Sequence, residues 1–356
     1  MIPCTVPLYW PQRRLHLSSH ADLSRVALRG DGKSWGHLHR VASMVQVFED
    51  VGGVHRLGER RVKGGTRMKS VPGAQRFAAV TRRYRTGQVA LYAAFAAVAS
   101  PFAISTRFGQ VADTLAMYSV GHYLPFSNFF WRFLWSVAST KVLAAVAVLL
   151  VASVVVQRRF ALLMRMLVLF VGANGVTQLL KVWITRPYLE VDYALPNSFP
   201  SGHVTLVATV ALAMIAVTPA PWRKLMTFFG WVLVTTVGVA VMAVGWHRLS
   251  DVLSAILIAG IFALIALPAE WDPSRGSPPR WLPSLFASLV FLFSFAGLGV
   301  VAVLVSRQFG SSLDALQLAA LSGATYPGAL VALFSVVSIA GIAASVTSAV
   351  DFLSGS

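Results

Sequence analysis

The sequence predicts an all-α protein that crosses a membrane many times, a polytopic helical bundle. Three observations carry that expectation. Hydrophobic residues make up 56% of the chain and charged residues only 12%, whereas soluble domains carry about 25% charge. The apolar residues fall in long blocks with few charges, near 88–105, 139–156, 161–182, 203–218, 225–245, 252–268, 281–305 and 323–350. Each block is about long enough to cross a hydrocarbon core at about 1.5 Å rise per residue. A helix satisfies its own backbone hydrogen bonds in lipid, which an open strand cannot do. The blocks therefore read as eight transmembrane helices. The last block is long, with Pro327 near its start, and fits either one tilted helix or a helix and a tail.

The net charge of +17 raises the question of a nucleic-acid partner, and its placement argues against one. More than half of the thirty Lys and Arg lie before residue 88. Many of the others flank short hinges: Arg158, Arg159 and Arg165; Arg223 and Lys224; Arg275 and Arg280. With the N-terminus cytoplasmic and the helices alternating, these hinges fall inside, as the positive-inside bias requires. Arg107, Arg132 and Arg307 would then lie outside. The expected location is the cell (plasma) membrane, with a membrane and a lipid as partners.

Residues 1–87 read as a basic, weakly ordered cytoplasmic leader whose cations can touch anionic headgroups. No secretory signal is visible there, and Met44 and Met68 are alternative starts. His16 and His20 stand four apart with only Asp22 nearby, an incidental pair rather than a metal site. The single Cys4 excludes an internal disulfide and a cysteine-rich metal site.

Two polar interruptions fall on the outer side of this topology. Between Lys181 and His203, Pro187, Pro196 and Pro200 break any helix, and Glu190, Asp192 and Asn197 make the stretch wet. The second runs from Trp246 to Asp251. The outer segment 106–138 carries Tyr118, His122, Tyr123, Phe126, Phe129, Phe130 and Trp131, an interfacial aromatic belt or an amphipathic helix guiding a lipid tail. The linker 269–280, rich in Pro and charge, separates the first six helices from the last two.

Ionisable residues at helix ends in a membrane bundle are functional candidates by default. Ser201-Gly202-His203 opens an apolar block and so occupies a helix N-terminus, where free N–H groups and the helix dipole favour an anion. Gly202 leaves room for close backbone approach. Lys181 and Arg186 add cationic donors, and an Arg can grip two phosphate oxygens. His247 and Asp251 stand four apart, on one face of a helical turn. A carboxylate bonded to one imidazole nitrogen sets the tautomer and raises the basicity of the other. That histidine can serve as a base or as a nucleophile on phosphorus, and His203 can protonate a leaving alkoxide. Taken singly, His203 could be a structural interface residue, Asp251 an N-cap and Lys181 a snorkelling cation. Their joint position at one set of helix ends argues for a phosphate site that needs no metal or cofactor.

At these residues the chain resembles the phosphatidic acid phosphatase type 2 family, which shares its site with vanadium haloperoxidases. The family's signatures are Lys, six residues, Arg-Pro; then Pro-Ser-Gly-His; then Ser-Arg, five residues, His, three residues, Asp. The second matches at Pro200, Ser201, Gly202 and His203, and the third in its latter half at His247 and Asp251. The resemblance implies a six-helix phosphatidic acid phosphatase-like catalytic core over 88–268, with a two-helix membrane extension over 269–356. It also implies that His247 attacks phosphorus, Asp251 orients it and His203 acts as acid and then as base. Lys181, Arg186, Ser201, Gly202 and Arg248 would hold the phosphate.

The chain departs from the family in its cations, as a divergent membrane branch. Only four residues separate Lys181 from Arg186-Pro187. If Arg186 keeps the family place, the Lys position falls on Leu179; if Lys181 does, the Arg position falls on Tyr188. The Ser-Arg positions of the third signature hold Ala240 and Val241, and Arg248 is the nearby cation that would replace the missing one. The expected activity is hydrolysis of a lipid phosphomonoester or diphosphate, polyprenyl or glycerophospholipid. The alternatives are phosphotransfer from the same site and non-catalytic lipid binding or transport. The Gly, Ala and Ser content of the last two helices would suit a homo-oligomeric contact.

Overall fold

The computed structural model describes residues 72–124, 136, 139–189, 191, 198–267, 282–308 and 326–354. The helices are α1 (Pro72–Ser105), α2 (Arg107–Tyr123), α3 (Thr140–Val156) and α4 (Phe160–Trp183), followed by α5 (Gly202–Val217), α6 (Ala220–Ala243), α7 (Leu249–Ala266), α8 (Leu282–Gln308) and α9 (Tyr326–Leu353). No strand occurs among the described residues. The all-α expectation holds, and each of the eight apolar blocks contains a helix. Six helices are long and apolar enough to cross a membrane, those within α1, α4, α6, α7, α8 and α9. The helices α3 and α5 are shorter, at 17 and 16 residues. The described residues thus form a multi-pass helical bundle. Most of the basic leader, the 269–280 linker and the aromatics Phe126, Phe129, Phe130 and Trp131 lie outside the described residues.

α7 is the central helix. Val252, Leu253, Ala255, Ile256, Leu257, Ala259, Ala263 and Leu264 are all buried, which covers every face of the helix, as expected for a segment apolar all round. Its neighbours approach through small residues and paired hydroxyls. Ser100 of α1 bonds Ser254 at 3.0 Å, and α4 and α5 are joined by Thr177 and Thr205 at 3.0 Å. Such interhelical bonds contribute about 0.6 kcal/mol each in a membrane bundle. They fix register more than they supply stability.

α8 and α9 form an antiparallel pair. Ser288 meets Ser345 at 2.6 Å, and Ser294 meets Ser338 at 2.9 Å. At Gly341 an added Cβ would stand 3.0 Å from the N and Cα of Phe291, so this crossing needs the missing side chain. α9 is one continuous helix and is no appendage. Ile339, Ile342, Ala343, Val346 and Val350 are buried, and Trp231 Nε1 of α6 donates to the Ala340 carbonyl at 2.9 Å.

Two features differ from the expected layout. α1 begins at Pro72, well before the apolar block at 88. The segment after α1, expected to be an outer loop, starts with a largely buried helix, α2, whose Val111, Leu115, Ala116 and Val120 enter the core. The turn between α1 and α2 is the single residue Thr106. Its hydroxyl donates to the Phe102 carbonyl at 2.7 Å and accepts from Gly109 N at 3.0 Å. Gln110 Nε2 then reaches back to the Ile104 carbonyl at 2.7 Å.

Candidate functional site

The N-termini of α3, α5 and α7 meet the C-termini of α4 and α6 at one end of the bundle, as an up-and-down chain dictates. Ser201 caps α5, its hydroxyl accepting from Val204 N at 3.4 Å. Its own N–H donates to the Asp251 carbonyl at 3.0 Å, tying the starts of α5 and α7 together. Behind α6 the chain turns through Gly245, whose φ of +74° is a left-handed conformation that glycine adopts freely. The N–H groups of Trp246 and His247 both return to the Val241 carbonyl, at 3.0 and 3.2 Å. That turn delivers His247 to the mouth of the site.

His247 Nδ1 lies 3.4 Å from Asp251 Oδ2, which also accepts from Arg248 N at 3.1 Å. The second oxygen, Oδ1, pairs with Arg186 Nη2 at 3.2 Å. Arg186 Nη1 in turn stands 3.6 Å from Asp113 Oδ2 on α2. Asp113 is itself held by Ser250 of α7, whose N–H donates at 2.9 Å and whose hydroxyl donates at 2.5 Å. The result is a continuous line from Asp113 through Arg186 and Asp251 to His247. All but His247 are almost fully buried. Burial pushes the Asp113 carboxyl above its ordinary range, and Arg186 pulls against that rise.

The cations resolve the question of register. Lys181 Nζ lies 3.7 Å from where a Cβ on Gly202 would stand, with Gln178 Nε2 at 3.5 Å, so the ammonium sits over the start of α5. Leu179, two residues back, is 50% exposed and lies on the outer surface of α4. The helix ends at Trp183, and residues 184–189 run without helix. Non-helical chain advances faster per residue than a helix, which lets Arg186 turn inward while Tyr188 is 75% exposed. Both Lys181 and Arg186 therefore reach the site despite their short spacing. Ala240 and Val241 are buried in the core of α6 and bring no charge. Arg248 is buried, within electrostatic reach of Arg186, Asp113, Asp251 and Tyr118. Burial lowers its pKa, Arg186 adds to that, and the two carboxylates oppose it.

His203, on the first turn of α5, has Nε2 3.3 Å from Thr140 Oγ1 of α3 and a tilted contact with the Trp246 ring at 6.3 Å. It lies within electrostatic reach of His247 and Lys181. Every candidate site residue read from the sequence thus lies at this end of the bundle. Asp113, Ser250, Thr140 and Trp246 were missed as partners. Asp113 carried one signal, as the only acidic residue of the sequence between Glu59 and Glu190. No cluster of three or more His, Cys, Asp or Glu able to hold a metal occurs among the described residues. Counting Lys181, Arg186 and Arg248 against Asp113 and Asp251, the site holds three cations and two carboxylates, a surplus that suits an anion.

Fold and site together define a helical membrane bundle with an anion site beside a carboxylate-oriented histidine. Residues 162–275, from α4 to just beyond α7, match the family model of the PAP2 superfamily. This agrees with the resemblance carried by Pro200-Ser201-Gly202-His203, His247 and Asp251, and supports phosphatase-type chemistry on phosphate esters. Searches of curated proteins and of solved structures found no match to the chain.

Proposed function

We propose that this protein is an integral-membrane phosphatase that hydrolyses a lipid phosphomonoester or diphosphate through a phosphohistidine on His247. The observation that carries the reading is the buried line Asp113–Arg186–Asp251–His247, set beside a helix N-terminus crowned by Lys181. An ion-paired, buried carboxylate keeps its orientation, so Asp251 holds Nδ1–H of His247 and leaves Nε2 with the lone pair.

In the first step Nε2 attacks the terminal phosphorus and its bond to the leaving oxygen breaks, releasing the lipid alcohol from a monoester or the lipid monophosphate from a diphosphate. His203 gives that oxygen its proton. In the second step the now neutral His203 takes a proton from water, the resulting hydroxide displaces Nε2, and inorganic phosphate leaves. Lys181 and the Gly202 N–H at the start of α5 meet the charge on the equatorial oxygens as it builds. Arg186 Nε has no hydrogen-bond partner among the described residues and is a further donor available to the phosphate.

A lipid substrate follows from where the chemistry sits, at the common end of helices long and apolar enough to span a bilayer. The basic hinges Arg158-Arg159 and Arg223-Lys224 lie at the opposite end and favour a cytoplasmic position there. That distribution of charge supports a site on the outer face of the cell membrane. The test is phosphate release by the purified full chain in detergent, across phosphatidate, lysophosphatidate, diacylglycerol diphosphate and polyprenyl diphosphate. Release that vanishes in His247→Ala supports the reading; release that persists in it rules His247 out as nucleophile.

A further inference from the structure

Behind the site the structure holds a second feature, a cavity of about 160 Å³ bounded by α1, α2, α7, α8 and α9. Of these helices only α7 lies within the matched stretch 162–275. Phe95, Ala99 and Ala103 enter the wall from one face of α1 at four-residue spacing, as helix geometry requires. Phe295 and Leu298 of α8 and Leu253 of α7 stand around them. Gly299, in the wall at its exposed rim, has nothing within 4 Å of where a Cβ would stand, so a larger side chain there has room to cover the mouth. Phe102 lines the cavity yet is 51% exposed, on the candidate membrane span Ala79–Ser105, so the cavity opens toward the bilayer side of α1.

The polar groups in the wall are already engaged. Asp113 is held by Ser250 at 2.9 and 2.5 Å, and Ser100 by Ser254 at 3.0 Å. A water molecule needs two to four polar partners to stay in a cavity, and a lipid headgroup needs more. An apolar space whose few polar atoms are mutually bonded, opening toward the bilayer, selects hydrocarbon. The site's own substrate is separated from it by the first turn of α7. Ser250, Leu253 and Ser254 face the cavity, whereas His247 and Asp251 face the site.

We propose that this cavity binds one hydrocarbon chain of a bilayer phospholipid that is not the substrate. The chain packs against α1 and α8, with its end beside the Asp113–Ser250 pair.

The test is photolabelling of the purified full chain in micelles that contain phosphatidylcholine with a diazirine on one acyl chain. Labels are expected on the α1 and α8 segments that carry Ala99, Ala103, Phe295 and Gly299. Gly299→Phe covers the mouth, and Ala99→Phe fills the opposite wall. Each should lower that labelling several-fold while the Tm stays at the wild-type value. Labels spread evenly over the exposed Val98, Phe293 and Val300, and unmoved by either variant with wild-type Tm, would overturn the proposal. So would labelling that an excess of lipid phosphate removes, because the chain would then be the substrate's own. The readout needs no turnover, so a lack of phosphatase activity bears on the proposed function alone.

Discussion

Arg186 and Asp251 meet through Nη2 and Oδ1 at 3.2 Å, with side chains 3% and 0% exposed. The carboxylate that orients His247 is thus itself clamped by a guanidinium from a different stretch of chain. Arg186 is clamped in turn by Asp113 at 3.6 Å. The histidine's orientation rests on a chain of buried charges rather than on one contact, and that chain can be broken at separate points with distinguishable results.

Asp113→Ala removes one partner of a buried ion pair and leaves Arg186 undercompensated, which costs about 3–5 kcal/mol when such pairs are cut. A lowered Tm in detergent is the expected result. Arg186→Met in the same chain removes the unpaired cation but also strips buried Asp251 of its partner, so the Tm should recover only in part, while phosphate release stays low. Recovery of both would show that the pair is structural only.

Asp251→Asn keeps the shape but weakens the hold on Nδ1–H. The expected effect is a fall in kcat of about 10²–10⁴, the range of positioned acid–base assistance, with little change in KM. A rise in KM with kcat unchanged would assign Asp251 to binding.

His203→Ala should depend on the leaving group. An alkyl phosphate needs a proton on its departing oxygen and should lose about 10²–10⁴ in rate. A nitrophenyl phosphate leaves without that proton and should lose much less in a burst measurement of the first step. Equal losses on both substrates would remove His203 from the acid role.

Lys181→Ala should weaken both binding and turnover, because the ammonium stands over the start of α5. Leu179→Lys placed in that background should not restore activity, since position 179 is half exposed on the outer face of α4. Rescue by Leu179→Lys would mean that the family spacing, not the observed geometry, describes the working site.

Gly341→Val should destabilise the bundle by about 1–3 kcal/mol, the usual cost of overpacking, because its Cβ would press on the Phe291 backbone at 3.0 Å. The Tm in detergent reads this directly, and His247 chemistry per folded molecule should be unchanged.

Much of this fold and site is legible in the amino-acid sequence. Hydrocarbon imposes a simple rule, so apolar blocks announced their helices even where α3 and α5 came out short. The pair His247 and Asp251 was readable from its spacing, but not through the helical turn that the spacing suggested: α7 begins only at Leu249, and His247 reaches Asp251 from the bend before the extended N-cap Arg248. The Lys181–Arg186 register was not, since it depends on the chain leaving helix at Trp183, a local event with no periodic signature. Asp113 was harder still. Its partners Arg186 and Ser250 lie far along the chain, and the polar, aromatic character of 106–138 as a whole concealed the apolar face of α2.

The corner at Thr106 has a mechanical consequence. With a single residue between α1 and α2, bonded on both sides and braced by Gln110, the end of one helix fixes the start of the next. Asp113 stands on α2, so the far end of the buried line of charges is anchored, through that corner, to a helix long and apolar enough to span a bilayer.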